Sequence, residues 1–167
     1  DMESILGGYE DPRIAKYWEP STQVAGEYRG VRTGIVYPTP STYANFSRTG
    51  DRTRTGEVTW MSTAEVYFLR AEGALRGWNM DGAAKDLYEA GIRASFEQNG
   101  VEGAAAYIAD DVKVAKDYVD PISAVNNAPA VSKVTVAWGA TNEINLEKII
   151  TQKWIATYPD GPEAWSE

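Results

Sequence analysis

The 167-residue sequence contains no cysteine and no histidine. Without cysteine, these residues can form no disulfide framework, no thiolate zinc site and no cysteine nucleophile. Without histidine, they cannot build a Ser-His-Asp or Cys-His catalytic centre, an HExxH zinc motif or the usual proton shuttle near neutral pH. The chemistry that remains is a carboxylate pair, a lysine or tyrosine base, or a metal site made of oxygen ligands.

Positive charge and long apolar runs are also scarce. Sixteen Lys and Arg stand against 24 Asp and Glu, which gives a net charge of -8. Proteins that bind nucleic acid or an anionic membrane need clustered basic residues to neutralise phosphates, so nucleic acid is not expected as a partner. No segment approaches the roughly 20 apolar residues of a membrane-spanning helix.

Tryptophan and tyrosine, in contrast, are plentiful, with six Trp and ten Tyr against three Phe. Both side chains combine a flat apolar face with a polar edge, which suits sugar stacking and wet surfaces as well as cores. Apolar residues make up 43% of the sequence, enough for a substantial core. The length predicts one domain or part of one.

The second part of the chain has clear helical signals. Ser62 and Glu65 form a capping-box pattern, Gly100 is a plausible left-handed cap, and Pro159 ends the last long helical pattern. Helices are predicted over 63–77, 82–98, 103–118 and 142–158. A further helix is predicted to start at Pro162.

The first two of these helices carry many small residues. Ala71, Gly73 and Ala74 lie in the first helix and Gly91 in the second, although glycine costs roughly 1 kcal/mol relative to alanine in a helix interior. Small residues let two backbones approach closely. We therefore predict an antiparallel hairpin of the tetratricopeptide type, with Ala74 among the contact positions.

The rest of the sequence predicts mainly irregular structure. Residues 1–60 are interpreted as loops with a short helix in 11–18, and the arginine-rich segment 47–56 as a solvated loop. Residues 57–61 look like a short strand. Residues 119–142 lack helical signals and predict a long loop, of a kind that is often functional or an insertion.

Three sequence blocks carry a family resemblance: "EVYFLRAEGALRGWN", "AAKDLYEAGIRASFEQNGV" and "KIITQKWIATYPDGPEAWSE". In this order they resemble the C-terminal half of SusD/RagB-like outer-membrane lipoproteins, and "DPRIAKYW" and "EYRGVRTG" are similar to the family less specifically. The resemblance implies a mainly α fold, in which a tetratricopeptide-like helical hairpin packs against a loop-rich region with few short strands. Residues 1–167 would be a single-domain fragment, loop-rich over 1–60, helical over 61–167 and truncated at both ends.

The resemblance also implies a function. Such a protein captures oligosaccharides at the outer surface of the cell outer membrane, without enzymatic activity, and delivers them to a SusC-like TonB-dependent transporter. Its only membrane attachment would be an N-terminal lipid missing from this chain, and no cofactor is implied. Capture of peptides or other nutrients by the same type of complex is the alternative. A carboxylate-based glycoside hydrolase and a helical-repeat scaffold are less favoured.

Aromatic residues in irregular segments are the predicted ligand contacts, because loops carry recognition more often than helices do. Sugar faces pack on flat rings, while Arg and Asn side chains bond hydroxyl groups. The predicted ligand-binding residues are Trp18, Tyr28, Arg32, Tyr37, Tyr43, Asn127 and Trp138. Plain packing or exposure is the alternative for each of them. No catalytic residue and no metal-binding residue is predicted.

Other conspicuous residues are interpreted as structural. Three tryptophans in the family-like blocks are predicted to pack in the core: Trp78, Trp154 and Trp165. The buried stripe of the fourth helix is predicted to be Leu146, Ile149, Ile150 and Trp154. Three aspartates could offer oxygen ligands for calcium, although a solvated helix face is the favoured interpretation: Asp110, Asp111 and Asp117.

Overall fold

The computed structural model describes residues 1–35, 39–56 and 59–162. In these residues the regular structure is helical. The α-helices are α1 (Met2–Tyr9), α2 (Ile14–Tyr17), α3 (Asp51–Thr55), α4 (Thr63–Leu75), α5 (Ala84–Asn99), α6 (Ala104–Ile108) and α7 (Asn142–Ala156). Short 3-10 helices add Pro40–Tyr43 and Ala124–Asn126. The mainly α prediction is confirmed.

Extended pairing is limited to two isolated β-bridges within the described residues. Trp18 pairs with Thr49, and Tyr118 pairs with Ala128. In the described residues, these two bridges take the place of the few short strands that were expected. The strand interpretation of 57–61 starts outside the described residues, and residues 59–61 are irregular.

The chain divides into two compact units. The first combines Asp1–Gly56 with Lys113–Lys133, and the second combines Glu57–Val112 with Val134–Glu167. The long loop predicted over 119–142 is therefore shared between the units. Its earlier portion folds with the N-terminal segment rather than with the helices that flank it in sequence.

Helix α1 of the first unit was not predicted from the sequence. Two consecutive glycines lie inside it, and glycine lowers helix propensity. The structure shows why one of them is needed: a Cβ on Gly8 would lie 2.2 Å from the carbonyl oxygen of Val114. Residues 114–116 cross α1 at this point, and the backbone N–H of Lys116 donates to the carbonyl oxygen of Ser4 at 3.0 Å. The helix buries Ile5, Leu6 and Tyr9.

The short helix expected in 11–18 is present as α2. Asp11 precedes it and accepts hydrogen bonds from the backbone N–H and the guanidinium of Arg13, and both side chains are fully buried. The prediction of a solvated loop over 47–56 is wrong in part, because α3 lies within it. Its Arg54 is exposed and bonds Glu19 at 2.9 Å, so side-chain pairing supports this short helix at the surface.

Helices α4 and α5 form the hairpin of the second unit. The capping box is confirmed: Ser62 Oγ accepts from the Glu65 N–H at 3.0 Å, and the Glu65 carboxylate accepts from the Ser62 N–H at 3.3 Å. Position 73 near the end of α4 faces Met80, while Phe68 one turn earlier faces Gly91 in α5. The two helices therefore run antiparallel, as predicted.

The small residues serve the predicted close approach, but at different positions. A Cβ on Gly91 would lie 2.7 Å from the Phe68 ring. Ala71 and Phe68 are fully buried. Ala74 is partly exposed, so the expectation that it is a close contact is wrong. The contact face of α4 runs through Ala64, Phe68 and Ala71 instead.

The third predicted helix is much shorter than expected. Helix α6 ends at Ile108, and Asp110 then accepts a hydrogen bond from the backbone N–H of Val112 at 3.0 Å. Its carbonyl also accepts from the N–H of Ala137 at 2.9 Å. These bonds turn the chain out of the helix, so the helix predicted over 103–118 is wrong beyond residue 108.

Helix α7 was predicted well in extent but not in its buried face. Ile149 is fully buried, as expected, whereas Ile150 is exposed and Trp154 is half-buried. Four polar side chains take buried positions instead: Asn145, Lys148, Gln152 and Lys153. Their polar atoms find partners in the same unit. Gln152, for example, donates to the hydroxyl of Tyr107 at 3.0 Å.

None of the helices in the described residues combines the length and the apolar composition that a membrane crossing requires.

Candidate functional site

The predicted ligand contacts fall into separate parts of the molecule. Trp138 belongs to the second unit, and Tyr37 lies outside the described residues. The other five belong to the first unit: Trp18, Tyr28, Arg32, Tyr43 and Asn127. The predicted contacts are therefore described unit by unit.

Glu3 of α1 fixes the segment that carries two of the predicted contacts. Its buried carboxylate accepts from the backbone N–H of Gly30 at 2.7 Å and from the guanidinium of Arg29 at 3.2 Å. Trp18 follows α2 in an extended conformation, and its ring edge lies 3.7 Å from where a Cβ on Gly30 would be. The Trp18 ring therefore lies within van der Waals reach of position 30.

Tyr118 adds a second anchor to the same segment. Its hydroxyl donates to the carbonyl of Gly30 at 3.1 Å and accepts from the backbone of Arg32. Burial, together with the negative charge of Asp120, raises the pKa of Tyr118 to about 12. With the backbone anchored, the Arg32 side chain is exposed and Tyr28 is half-buried. Trp18 therefore lies beside Gly30, which belongs to the segment that also carries Tyr28 and Arg32.

Tyr43 has a different role. Its ring is buried and packs edge-on against Phe46, with ring centroids 4.9 Å apart. Its hydroxyl donates to Asp120 Oδ2 at 2.7 Å and accepts from Asn126 Nδ2 at 2.8 Å. The bond to the carboxylate, followed by burial, raises the pKa of Tyr43. A buried ring with this network offers no stacking face, which argues against Tyr43 as a ligand contact.

Asn127 contributes to the same loop. Its side chain is exposed, but its Oδ1 accepts from the backbone N–H of Asp120 at 2.8 Å. Burial opposes ionisation of Asp120, but hydrogen bonds from Tyr43, Asn126 and two backbone amides outweigh it and lower the pKa of this carboxyl. The amide nitrogen of Asn127 is the group left to offer a sugar hydroxyl.

Trp138 is the predicted contact of the second unit. Its indole ring is half-buried and lies against Tyr88 of α5, with ring centroids 5.4 Å apart at 51°. The contact supports the ring from one side and leaves part of it in contact with solvent. Trp138 therefore stays a predicted contact, with a ring that is packed on Tyr88 and partly accessible.

Exposed tryptophans were partly missed by the sequence reasoning. Trp78 is 62% exposed, so its predicted core position is wrong, and Trp60 is 96% exposed. Trp78 lies beyond the end of α4, where Gly77 adopts a φ of 85°, and the helical spacing that suggested burial no longer applies. Trp165 lies outside the described residues. Neither Trp60 nor Trp78 is among the predicted ligand contacts.

The three aspartates considered for calcium do not converge on a site. Asp110 bonds the backbone of Val112, and Asp117 accepts from the N–H of Ala130 at 2.9 Å and from Lys133 at 3.4 Å. The backbone bond, followed by the charge of Lys133, lowers the pKa of Asp117. Among the described residues, no group of three acidic side chains is placed to hold a metal ion.

The fold places the chain in the class of mainly α proteins built on a tetratricopeptide-like hairpin. The family model of SusD-like proteins, described as SusD and RagB outer membrane lipoproteins, matches residues 1–167. The chain belongs to this family of outer membrane lipoproteins. No curated protein matches it.

Solved structures support the family assignment. A chitin-binding SusD homologue from Flavobacterium johnsoniae is 60% identical, with a TM-score of 0.96, over 99% of this chain and 35% of that chain. A SusD-like protein from Bacteroides thetaiotaomicron is 45% identical, with a TM-score of 0.91, over 99% of this chain and 36% of that chain. A SusD homologue from Bacteroides uniformis is 43% identical, with a TM-score of 0.89, over 99% and 35%. The chain thus spans about a third of these relatives.

Proposed function

We propose that the protein captures oligosaccharides at the outer surface of the outer membrane and passes them, uncleaved, to a SusC-like TonB-dependent transporter. Membership of a family of outer membrane lipoproteins supports the location. The surplus of Trp and Tyr over Phe supports carbohydrate as the cargo, because flat rings with polar edges suit sugars. Attachment to the membrane would come from a lipid at the N-terminus of the full-length protein.

The proposal extends to the type of glycan. It is carried by the 60% identity to a SusD homologue that binds chitin. Chitin oligosaccharides are uncharged, so a protein with a net charge of -8 does not repel them. Their N-acetyl methyl groups and sugar faces are apolar and can pack on Trp18 or Trp138. We therefore expect oligomers of N-acetylglucosamine to bind better than oligomers of glucose.

Calorimetry on the full-length protein tests this proposal. Chitohexaose should bind with a dissociation constant on the order of micromolar to millimolar, or about 4–8 kcal/mol. The range is modest because a sugar exchanges hydrogen bonds with water for hydrogen bonds with protein. Cellohexaose, maltohexaose and a mixture of short peptides serve as comparison ligands. Binding of peptides but of no glycan would overturn the carbohydrate proposal in favour of peptide capture.

Single substitutions locate the binding surface. Trp18→Ala and Trp138→Ala should each weaken chitohexaose binding by several-fold, since an aromatic contact contributes about 0.5–1.5 kcal/mol. Trp60→Ala is the matched control, because this ring is almost fully exposed and was not predicted as a contact. A loss of affinity in Trp60→Ala alone would move the binding surface away from both candidates.

A further inference from the structure

The segment that carries Trp138 is held by side chains from two helices. Tyr88 Oη of α5 donates to the carbonyl of Val136 at 2.7 Å. Lys148 of α7 donates to Thr135 Oγ1 at 2.8 Å and to the carbonyl of Ala137. Three consecutive residues before Trp138 are therefore anchored from outside the segment.

The residue after Trp138 is anchored as well. Asn145 Oδ1 accepts from the N–H of Gly139 at 2.7 Å, and Asn145 Nδ2 donates to the Gly139 carbonyl at 3.2 Å. A Cβ at position 139 would lie 2.8 Å from the side chain of Ile144, so any larger residue would require Ile144 to shift. Residues 135–137 and 139, which we call the clamped segment, thus bracket Trp138 on both sides.

The groups that hold the clamped segment are buried, and one of them is charged. Tyr88, Asn145 and Lys148 have at most 4% of their surface exposed. The ammonium group of Lys148 bonds two neutral oxygens in the segment, and burial lowers its pKa. A buried lysine costs free energy that an apolar residue of similar size would avoid. Stability alone is therefore a poor reason for this residue.

We propose that Lys148, Tyr88 and Asn145 are positioning residues that preorganise Trp138 for stacking against a sugar ring. The proposal rests on the carbohydrate-binding function proposed above. A loop that is ordered before the ligand arrives avoids the entropy cost of being ordered on binding, about 0.5–1.5 kcal/mol for each side chain. Tyr88 acts twice, through its hydroxyl on the Val136 carbonyl and through the tilted contact of its ring with Trp138.

Lys148→Met in the full-length protein tests the proposal. The substitution keeps an unbranched side chain of most of the length of lysine and removes both bonds to the clamped segment. Chitohexaose affinity should fall by about two- to tenfold. In a Trp138→Ala background the same substitution should have little further effect, because Lys148 acts through Trp138. An equal loss in both backgrounds, or no loss in either, would overturn the proposal.

A second variant separates positioning from general destabilisation. Ser62→Ala removes the cap of α4 in the same unit and lowers stability, and the side-chain hydrogen bond that it removes is to Glu65, outside the clamped segment. It should leave chitohexaose affinity unchanged. If Ser62→Ala weakens binding as much as Lys148→Met does, the effect is one of stability and the positioning role is rejected.

A spectroscopic measurement keeps the two proposals distinct. The fluorescence of Trp138 is obtained in each background as the difference between the protein with Trp138 and the same protein with Trp138→Ala. Quenching of this fluorescence by acrylamide should be stronger in Lys148→Met than in wild type, and unchanged in Ser62→Ala. Unchanged quenching in Lys148→Met, in a protein that binds chitohexaose, would reject the clamp and leave the proposed function intact. Absence of glycan binding by wild type would reject both the proposed function and any role of the clamp in it.

Discussion

Tyr118 is a single residue whose ionisation should control stability at alkaline pH. Its pKa is about 12 in the fold against an ordinary value of 10.0, because of burial and then the charge of Asp120. The unfolded chain therefore loses this proton first. Neutral Tyr118 makes its full contribution to the free energy of unfolding below pH 10. This free energy should fall as the pH rises from 10 to about 12.

Tyr118→Phe checks this expectation. An ultraviolet absorbance titration of wild type should show a tyrosine ionising near pH 12, and the late transition should be smaller by one tyrosine in the variant. The decline in unfolding free energy above pH 10 should also be shallower in Tyr118→Phe. Tyr28→Phe, in the same unit, controls for the loss of one chromophore. A variant that retains the full late transition would contradict the assignment to Tyr118.

The residue scale also shows which features could be predicted from sequence. The Ser62 capping box and the left-handed Gly100 cap depend on neighbours a few residues away, and both are present. Tyr43 was predicted to face a ligand, but it is buried and its hydroxyl donates to Asp120, which is 77 residues away in sequence. Sequence spacing carries no information on such a pair. Only the fold reveals that this hydroxyl is already used.

The packing of α4 against α5 gives a prediction at the scale of elements. Gly91→Ala would place a methyl group 2.7 Å from the Phe68 ring, which is fully buried. Overpacking of this kind costs about 1–3 kcal/mol, which outweighs the gain of roughly 1 kcal/mol in helix propensity. Denaturant unfolding of the full-length protein should therefore show a destabilised variant.

Gly73→Ala is the matched control within the same hairpin. Its added methyl group would meet the side chain of Met80 at 3.0 Å, and methionine is flexible enough to move aside. This variant should be neutral or slightly stabilised. Combining Gly91→Ala with Phe68→Leu should recover part of the loss, since the ring is the obstacle. Equal destabilisation by Gly73→Ala and Gly91→Ala would show that ring contact is not the cause.

Elements were predictable where local signals agreed with the fold. Helices α4, α5 and α7 begin and end within two residues of their predicted limits. Helix α1 was missed because its Gly8 is explained only by a distant segment: the backbone of residues 114–116 leaves no space for a Cβ at position 8. The buried face of α7 was misplaced for a similar reason. Asn145 and Lys148 are buried to hold the clamped segment, and hydropathy patterns cannot anticipate polar core residues.

At the scale of the whole molecule, two units carry the candidate surfaces. Trp18, Tyr28 and Arg32 belong to the unit that includes α1, and Trp138 belongs to the unit built on the helical hairpin. The chain corresponds to about a third of its solved relatives, at 35% of the Flavobacterium johnsoniae homologue. Binding measurements therefore belong on the full-length protein, in which every surface that contributes to capture is present.

Binding without cleavage is the remaining expectation for the whole molecule. Glycoside hydrolysis needs two carboxyl groups flanking the bond, one of them kept protonated by a raised pKa. Asp117 and Asp120 both have a lowered pKa and serve as hydrogen-bond acceptors, so neither is suited to be the protonated acid. Chitohexaose incubated with the full-length protein should therefore be recovered intact by chromatography, while a chitinase cleaves a parallel sample. Shorter products that disappear when one carboxylate is replaced would establish an enzyme instead.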